Sequence, residues 1–509
     1  MHILRLLLPT AVLGCMMNCA AAADLHGQVE RYRRAHEREI VGALDELVRF
    51  HSVAAEPAGI AAAADRLQGW LTARGFAVYR LSAGPGTAPL VFGARDVPGA
   101  RRTVVFYAHY DGQPVTPSQW RSDPFIPVMR SGALSSAMRD VDWRSAAPPF
   151  DPEWRLFGRG AGDDKASIIA FLAAWDALHE AQRLPAVNVR VAWEGEEEAG
   201  SPHLAQLLRA NRSLLASDLW LIGDGPVHQS RLQMVSFGAR GVTGVEMTLY
   251  GPLRALHDGH YGNWVPNPAA MAANLVAAMR DDEGRILIPG FDADVRPLTA
   301  AERDALAALP ASDGALKEEF AIGRTEGSEG SAASVMRPAL NIRGIRAGQV
   351  GTAAANAIPV DASVSIDFRL VPDQTPAHVR EQLERFLAER GYTIIATEPD
   401  AAMRRAHPRL VRLEWEPGYP ALRSDMSTPV ARSVIAAASA AAGRPVAVIP
   451  MMGGSVPIYL ISDLLGATVI GIPIANHDDN QHAANENLRL QNLWDGVQTY
   501  ASLLTRVTW

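Results

Sequence analysis

The sequence predicts an α/β protein in which a sheet flanked by helices is interrupted by a smaller two-layer α+β unit. Three observations carry this expectation. Short apolar strands alternate with helical segments between residues 77 and 222, the pattern of a sheet covered on both faces. After about residue 238 the texture shifts to longer strand-like runs with their own helices. From about Ser424 the first texture returns. The expected division is a first unit over residues 24–237, an insert over 238–420 and the rest of the first unit over 421–509.

The elements follow in chain order. Arg5, the apolar stretch Leu6–Met17 and the small residues Ala20–Ala23 read as a secretory signal cleaved before Asp24, which implies export to a periplasm or the medium. Val12-Leu13-Gly14-Cys15 also has the outline of a lipoprotein box, although Leu13 is large for its place; lipid anchoring at Cys15 is the second reading. Cys15 and Cys19 are the only cysteines, so a disulfide framework and a thiolate zinc site are excluded from the folded body. No later segment approaches about 18 uninterrupted apolar residues, so no membrane span is expected.

Residues 27–50 show helical periodicity through Val29, Ile40, Leu44 and Leu47. Ala61–Arg74 repeats it and stops at Gly75, a C-terminal cap signal. Strands are expected at Ala77–Leu81, Leu90–Phe92, Thr103–Tyr107, Val187–Trp193 and Leu219–Ile222, with a helix over Lys165–Glu180. In the insert the expected elements are strands Val242–Leu249 and Ala362–Leu370 and helices Asn267–Met279 and Pro376–Arg390. Helix Thr428–Ala442, strands Ala447–Pro450 and Ala467–Gly471 and a helix from Leu488 complete the chain. The stretch Thr116–Trp154 shows little periodicity. It reads as a surface insertion, with a functional or mobile loop as the alternative.

Composition narrows the function. The 48 Lys+Arg against 55 Asp+Glu give a net charge of −7, without the basic excess of a nucleic-acid binder. Hydrophobic residues make up 48%, enough for a large core.

Five segments place His, Asp or Glu near a predicted strand end, the edge at which open α/β sheets bind ligands. Thr103–Tyr107 runs into His109-Tyr110-Asp111, where Asp111 can hold one ring nitrogen of a metal-bound His109; a structural His is the bland alternative. Gly160-Ala161-Gly162-Asp163-Asp164 precedes a helix, so either Asp could be only a cap. Glu194 and Glu196-Glu197-Glu198 follow an apolar strand; adjacent carboxylates need a cation or water around them. Asp224 alone is weak evidence, and His477–Glu486 is dense in ligand-type side chains. Five coincidences at one edge are harder to dismiss than any single one. His, Asp and Glu without Cys suit a borderline divalent metal such as zinc, and a shared carboxylate suggests two metals about 3.5–4 Å apart.

The order of His-x-Asp-x-Gln-Pro, Gly-Arg-Gly-x-x-Asp-Asp-Lys and Glu-Glu-x-Gly-Ser resembles the two-zinc peptidases that include carnosinase-type dipeptidases, glutamate carboxypeptidase, acetylornithine deacetylase and succinyl-diaminopimelate desuccinylase. The resemblance spans Phe50 to Glu486. Arg369-Leu370-Val371-Pro372, Gly453-Gly454-Ser455 and His482-x-x-Asn485-Glu486 point to the carnosinase-like branch. It implies a zinc-peptidase domain with a mixed sheet, interrupted by a lid and dimerisation domain. It implies that His109 and Asp224 bind one metal, Glu198 and His482 the other, and that Asp163 bridges both. Glu197 would be the general base and Asp111 the partner of His109. His257, in Leu256-His257-Asp258-Gly259-His260, would stabilise the oxyanion from the other subunit of a homodimer. Arg369, Asn356, Gly454 and Ser455 would contact substrate.

Two departures stand out. Met451 and Met452 occupy the place where relatives often carry Arg and Glu, which removes two charges and suggests a more apolar pocket. Ala166 replaces the usual Gly after Asp-Asp-Lys. The leading expectation is an exported metallopeptidase with two divalent metals, zinc or alternatively manganese or cobalt, acting on dipeptides or short peptides. An N-acyl amino acid amidohydrolase is the alternative, and a non-catalytic binding protein of the same fold the remote one.

Overall fold

The alternating strands and helices form an eight-stranded mixed sheet in the computed structural model, which describes residues 25–135 and 137–509. Across the sheet the strands run Ala77–Leu81, Leu90–Arg95, Asn188–Glu194, Thr103–His109, Leu219–Ile222, Thr468–Gly471, Met234–Ser236 and Ala447–Ile449. The four consecutive strands from Asn188–Glu194 to Thr468–Gly471 are parallel, so their C-terminal ends share one edge. Alternate side chains of each strand point to opposite faces. Val104, Phe106 and Ala108 join one core cluster with Leu44, Phe171 and Trp494, while Val105 and Tyr107 join a second with Leu207 and Ile461. Burial on both faces explains why these strands read as unbroken apolar runs.

Between the sixth and seventh of these strands in chain order lies a five-stranded sheet, ordered Ala339–Arg346, Asp361–Leu370, Gly241–Tyr250, Leu410–Trp415 and Thr393–Ile395. Helices Pro268–Met279 and Pro376–Glu389 bury Leu275, Leu383 and Phe386 against it. Gly238–Ala239 pairs with Leu422–Arg423, so the chain crosses between the two sheets at one place in both directions. One excursion departs from a simple insert. Helix Ala300–Ala307 packs on strand Ala447–Ile449, and Glu302 makes a 2.8 Å ion pair with the buried Arg423.

Element boundaries follow the expectation within a few residues, with physical reasons for the shifts. The helix expected from Ala61 starts at Pro57, a residue suited to the first turn. The helix expected from Leu488 starts at Leu490, because Asn487–Arg489 pairs with Arg155–Phe157 as a strand. The expected signal and both cysteines lie outside the described residues. Among the described residues no helix is long and apolar enough to cross a membrane.

The reading of Thr116–Trp154 as a surface insertion needs correction. Its strand Val128–Arg130 pairs with Arg155–Phe157, and Trp143 and Phe150 are buried in the main core. Arg144 donates to Asp45, and Arg38 donates to the carbonyl of Ala146. Asp45→Ala is expected to lower stability by about 1–2 kcal/mol, since it removes the acceptor for both Arg49 and Arg144. Both guanidiniums are substantially exposed, which keeps the cost low. A urea unfolding midpoint unchanged from wild type would contradict it.

Candidate metal and active site

The parallel strands deliver their ligand-type residues to one edge. His109 is the last residue of its strand and is fully buried. Its Nδ1 lies 3.2 Å from the Asp111 carbonyl and 3.4 Å from the Asp111 carboxylate. Asp111 also accepts from the backbone N–H groups of Glu197 and Glu198, at 3.3 and 3.0 Å. It thus orients His109 and anchors the acidic loop together. Gly195 starts that loop because a Cβ there would strike the Tyr110 hydroxyl.

Asp163 sits at the centre. Its Oδ1 is 2.8 Å from His109 Nε2, and its Oδ2 is 3.1 Å from His482 Nε2. His482 Nε2 is also 3.2 Å from Glu198 Oε2. Ligand atoms of His109, Glu197 and Asp224 lie within 4.8 Å of one another, as do those of His109, Asp163 and Glu198. The first trio places Glu197 beside predicted ligands. The helix-cap reading of the Asp163-Asp164 pair fails for Asp164, whose side chain makes no capping bond and whose two oxygens are buried without a partner.

The electrostatics suit a cation. Burial raises the Glu197 carboxyl, with Asp224 and Glu198 adding to it and His109 opposing. Burial and Asp163 push Asp224 up to about 7. Burial opposes ionisation of Asp163, yet hydrogen bonds from His109 and His482 hold its carboxyl below the usual range. Hydrogen bonds to Asp163 and Glu198 push His482 up to about 10. Glu198 Oε1 is buried without a partner. This crowding of carboxylates around two imidazoles, with an orphaned oxygen, fits divalent metal in type and number of donors.

Several supporting residues carried no assignment from sequence. Gln113 donates to Glu198 Oε2 at 2.8 Å and Gln481 to Asp163 Oδ2 at 2.9 Å. Both flank predicted ligands in their motifs, which was the available signal. Glu486 is fully buried and accepts from Arg159 and from the backbone N–H groups of Gly160, Gly162 and Asp163. Asn480, His482 and Asn485 all have positive φ, and Asn487 closes their loop by donating to the Asp479 carbonyl.

A cleft of about 630 Å³ opens from Asp163, Glu197, Asp224 and His482. Arg369, Gly454 and Ser455 line it. Arg369 donates through Nε to Asp367 and through Nη1 to Ser455 Oγ, at 2.9 and 2.8 Å. Arg369 is therefore ion-paired on its own strand while also lining the cleft. His257 and Asn356 are not brought to this cleft. His257, on the two-stranded sheet Leu256–His257 with Ala357–Ile358, and Asn356, the residue before its second strand, both stand exposed.

Comparison with known proteins agrees with this geometry. Over 426 residues the chain is 26% identical to a Cys-Gly metallodipeptidase of Schizosaccharomyces pombe, covering 81% of this chain and 82% of that one. It is 24% identical over 503 residues to the human Beta-Ala-His dipeptidase, covering 93% and 91%. An M20 family metallo-carboxypeptidase from Sulfolobus solfataricus superposes with a TM-score of 0.74 at 26% identity, covering 92% of this chain and 98% of that one. The model of peptidase family M20/M25/M40 matches residues 105–506. With the ligand-type residues gathered at one sheet edge, this match places the chain in peptidase family M20/M25/M40, as a metallo-hydrolase of amide bonds.

Proposed function

We propose that the chain is a dinuclear metallo-dipeptidase. The supporting observation is Asp163, which turns one oxygen toward His109 and the other toward His482, with Glu197 alongside. His109 and Asp224 would hold one cation, Glu198 and His482 the other, and Asp163 both. The donor set suits zinc, with manganese or cobalt as alternatives. Bound cations of this kind lower the pKa of water and polarise a scissile carbonyl.

The chain's own groups do the rest. Glu197 takes a proton on its carboxylate from the attacking water and returns it to the leaving amine nitrogen. Its place on the cleft wall beside Asp163 and Asp224 suits that exchange. Asp111 fixes the His109 ring. Arg369, already bonded to Ser455, presents its guanidinium to the substrate carboxylate, while Gly454 and Ser455 line the wall beside it.

Chelation is expected to abolish dipeptide hydrolysis, with zinc, manganese or cobalt restoring it and metal analysis finding about two ions per chain. Hydrolysis that survives complete chelation would overturn the proposal. Met452 on the cleft wall favours a second reading, an N-acyl amino acid amidohydrolase. Faster turnover of acyl-amino acids than of any dipeptide would select it. Export belongs to the same proposal, on the strength of Arg5, the apolar run and Ala20–Ala23.

The proposal includes a homodimer, because His257 and Asn356 are exposed away from their own cleft. Ring contacts run from His257 through His260 and Tyr261 to the exposed Trp264. Strand Ala339–Arg346 forms a free sheet edge bearing exposed Ile345. If His257 acts across the dimer, mixing His257→Ala with Glu197→Gln chains is expected to restore activity that neither has alone. A mixture that exchanges subunits yet stays inactive would refute the trans role.

A further inference from the structure

The cleft is larger than its polar groups. Apart from the proposed metal-site residues, the only side chains among the described lining residues that ionise are Arg369, His228 and Tyr419, whose phenol burial keeps neutral, and the apolar part of the wall includes Val227, Met234, Val335, Ile449, Met452 and Val456. Met452 has a fixed place on this wall. Its backbone N–H donates to the Gly238 carbonyl at 2.8 Å. Its sulfur and methyl lie against Gly225, where a Cβ would come within 3.4 and 3.6 Å of them. Gly225 directly follows Asp224, so the thioether flanks the proposed metal site. Met451, also on the cleft wall, packs in an apolar cluster with the buried Met336 and Val371. His228 adds no cation, since its Nδ1 is bonded to Ser230 and burial lowers its pKa.

We infer that this recess selects substrates carrying a bulky apolar group next to the scissile amide, with Met452 as the specificity-determining residue. This rests on the metallo-hydrolase reading of the same site. The apolar wall of such a recess gains from each methylene it buries, and one methylene is worth roughly tenfold or more in discrimination. With Arg369 taken by the substrate's own carboxylate, a charged side chain would lose hydration against this wall without an ionic partner. Two sources could supply the apolar group, the side chain of a dipeptide or the acyl chain of an acyl-amino acid.

The test is a kcat/KM comparison on the zinc-loaded full chain. The panel is Leu-Gly, Gly-Leu, Glu-Gly, Gly-Glu, N-acetyl-glycine and N-hexanoyl-glycine. At least one apolar substrate is expected to exceed its charged or short counterpart by about 100-fold. A leucine dipeptide in that place identifies a side chain as the occupant, and N-hexanoyl-glycine identifies an acyl chain. Met452→Glu is expected to reduce the winning ratio at least tenfold, while Met452→Leu keeps it. Wild-type ratios within about threefold, or a Met452→Glu ratio equal to wild type in a protein with unchanged Tm, would overturn the inference while leaving the hydrolase reading intact. No turnover of any panel member with zinc, manganese or cobalt would instead overturn the hydrolase reading on which it rests.

Discussion

Glu197→Gln is expected to lower kcat by about 10²- to 10⁴-fold on every peptide the enzyme cleaves, the usual worth of a positioned general acid–base. The metal content of the variant decides what the loss means. Glu197 lies close enough to His109 and Asp224 to act as a ligand. A lost ligand would lower the metal content, whereas a lost base leaves both cations bound and removes only turnover. The base reading follows from the carboxylates around it. On the proposed assignment, Asp163, Glu198 and Asp224 would supply charge for two cations together with His109 and His482, without a further anionic ligand. Glu197 reaches His109 Nε2 only at 3.9 Å, farther than Asp163 at 2.8 Å, which leaves its carboxylate beside the proposed ligands with room to take and release a proton. Glutamine keeps the shape and removes the basic oxygen. Its kcat and KM should be measured with metal content on the same sample. Less than tenfold loss in kcat, or loss of one metal, would sink the assignment.

Part of this site was legible because His109 and Asp224 sit at or just past the end of a buried strand, and the Glu194–Glu198 carboxylates follow directly on another. An apolar run that is buried on both faces cannot continue into His109-Tyr110-Asp111 or Glu194-Gly195-Glu196 without a change of environment. The four carboxylates from Glu194 to Glu198 were harder to separate. The structure parts them by direction. Glu194 accepts from the Tyr107 hydroxyl inside the sheet, and Glu196 accepts from the Ala88 N–H and pairs with His203. Only Glu197 and Glu198 face the cleft side, and their backbone is held there by Asp111. Resemblance to a family made that choice; periodicity did not.

What stayed hidden has a common cause. Strand Ala339–Arg346 lies at a sheet edge, mostly exposed, and its short alternation Leu340–Arg343 is broken by a bulge at Gly344, so its pattern is weak. The packing of Trp143 and Phe150 depends on a helix about a hundred residues earlier, which the irregular local sequence does not announce. His257 was assigned from its motif, but its exposure shows that the motif alone does not complete the cleft of its own chain. Local patterns report local partners, and these features depend on distant ones.

Glu486 is the clearest such case and carries the largest expected effect on stability. It lies 323 residues after Asp163 and returns to hold the loop that presents it. Its carboxylate accepts from Arg159 Nη1 at 2.8 Å, from Gly160 N–H at 2.9 Å, and from Gly162 and Asp163 N–H at 3.0 Å each. Arg159 is itself buried. Glu486→Ala leaves that guanidinium without its carboxylate, with the Ala483 carbonyl and the Trp120 ring still beside it, and three amides without an acceptor. Breaking a buried pair from one side costs about 3–5 kcal/mol, mostly from the uncompensated charge. Glu486→Gln retains one carbonyl acceptor and the side-chain volume, so its cost should be smaller. Double replacement of Arg159 by Met and Glu486 by Leu removes both charges and should recover part of the loss, although the amides remain unpaired. The same change should weaken metal binding, because the Asp163 main chain loses its anchor while every predicted ligand is retained. Urea unfolding under chelation measures the first effect, and zinc titration of the folded variant measures the second. A Glu486→Ala protein as stable as wild type would show that this carboxylate does not organise the loop. Unchanged zinc affinity in a destabilised variant would confine its role to the fold, separating the scaffold from the metal site.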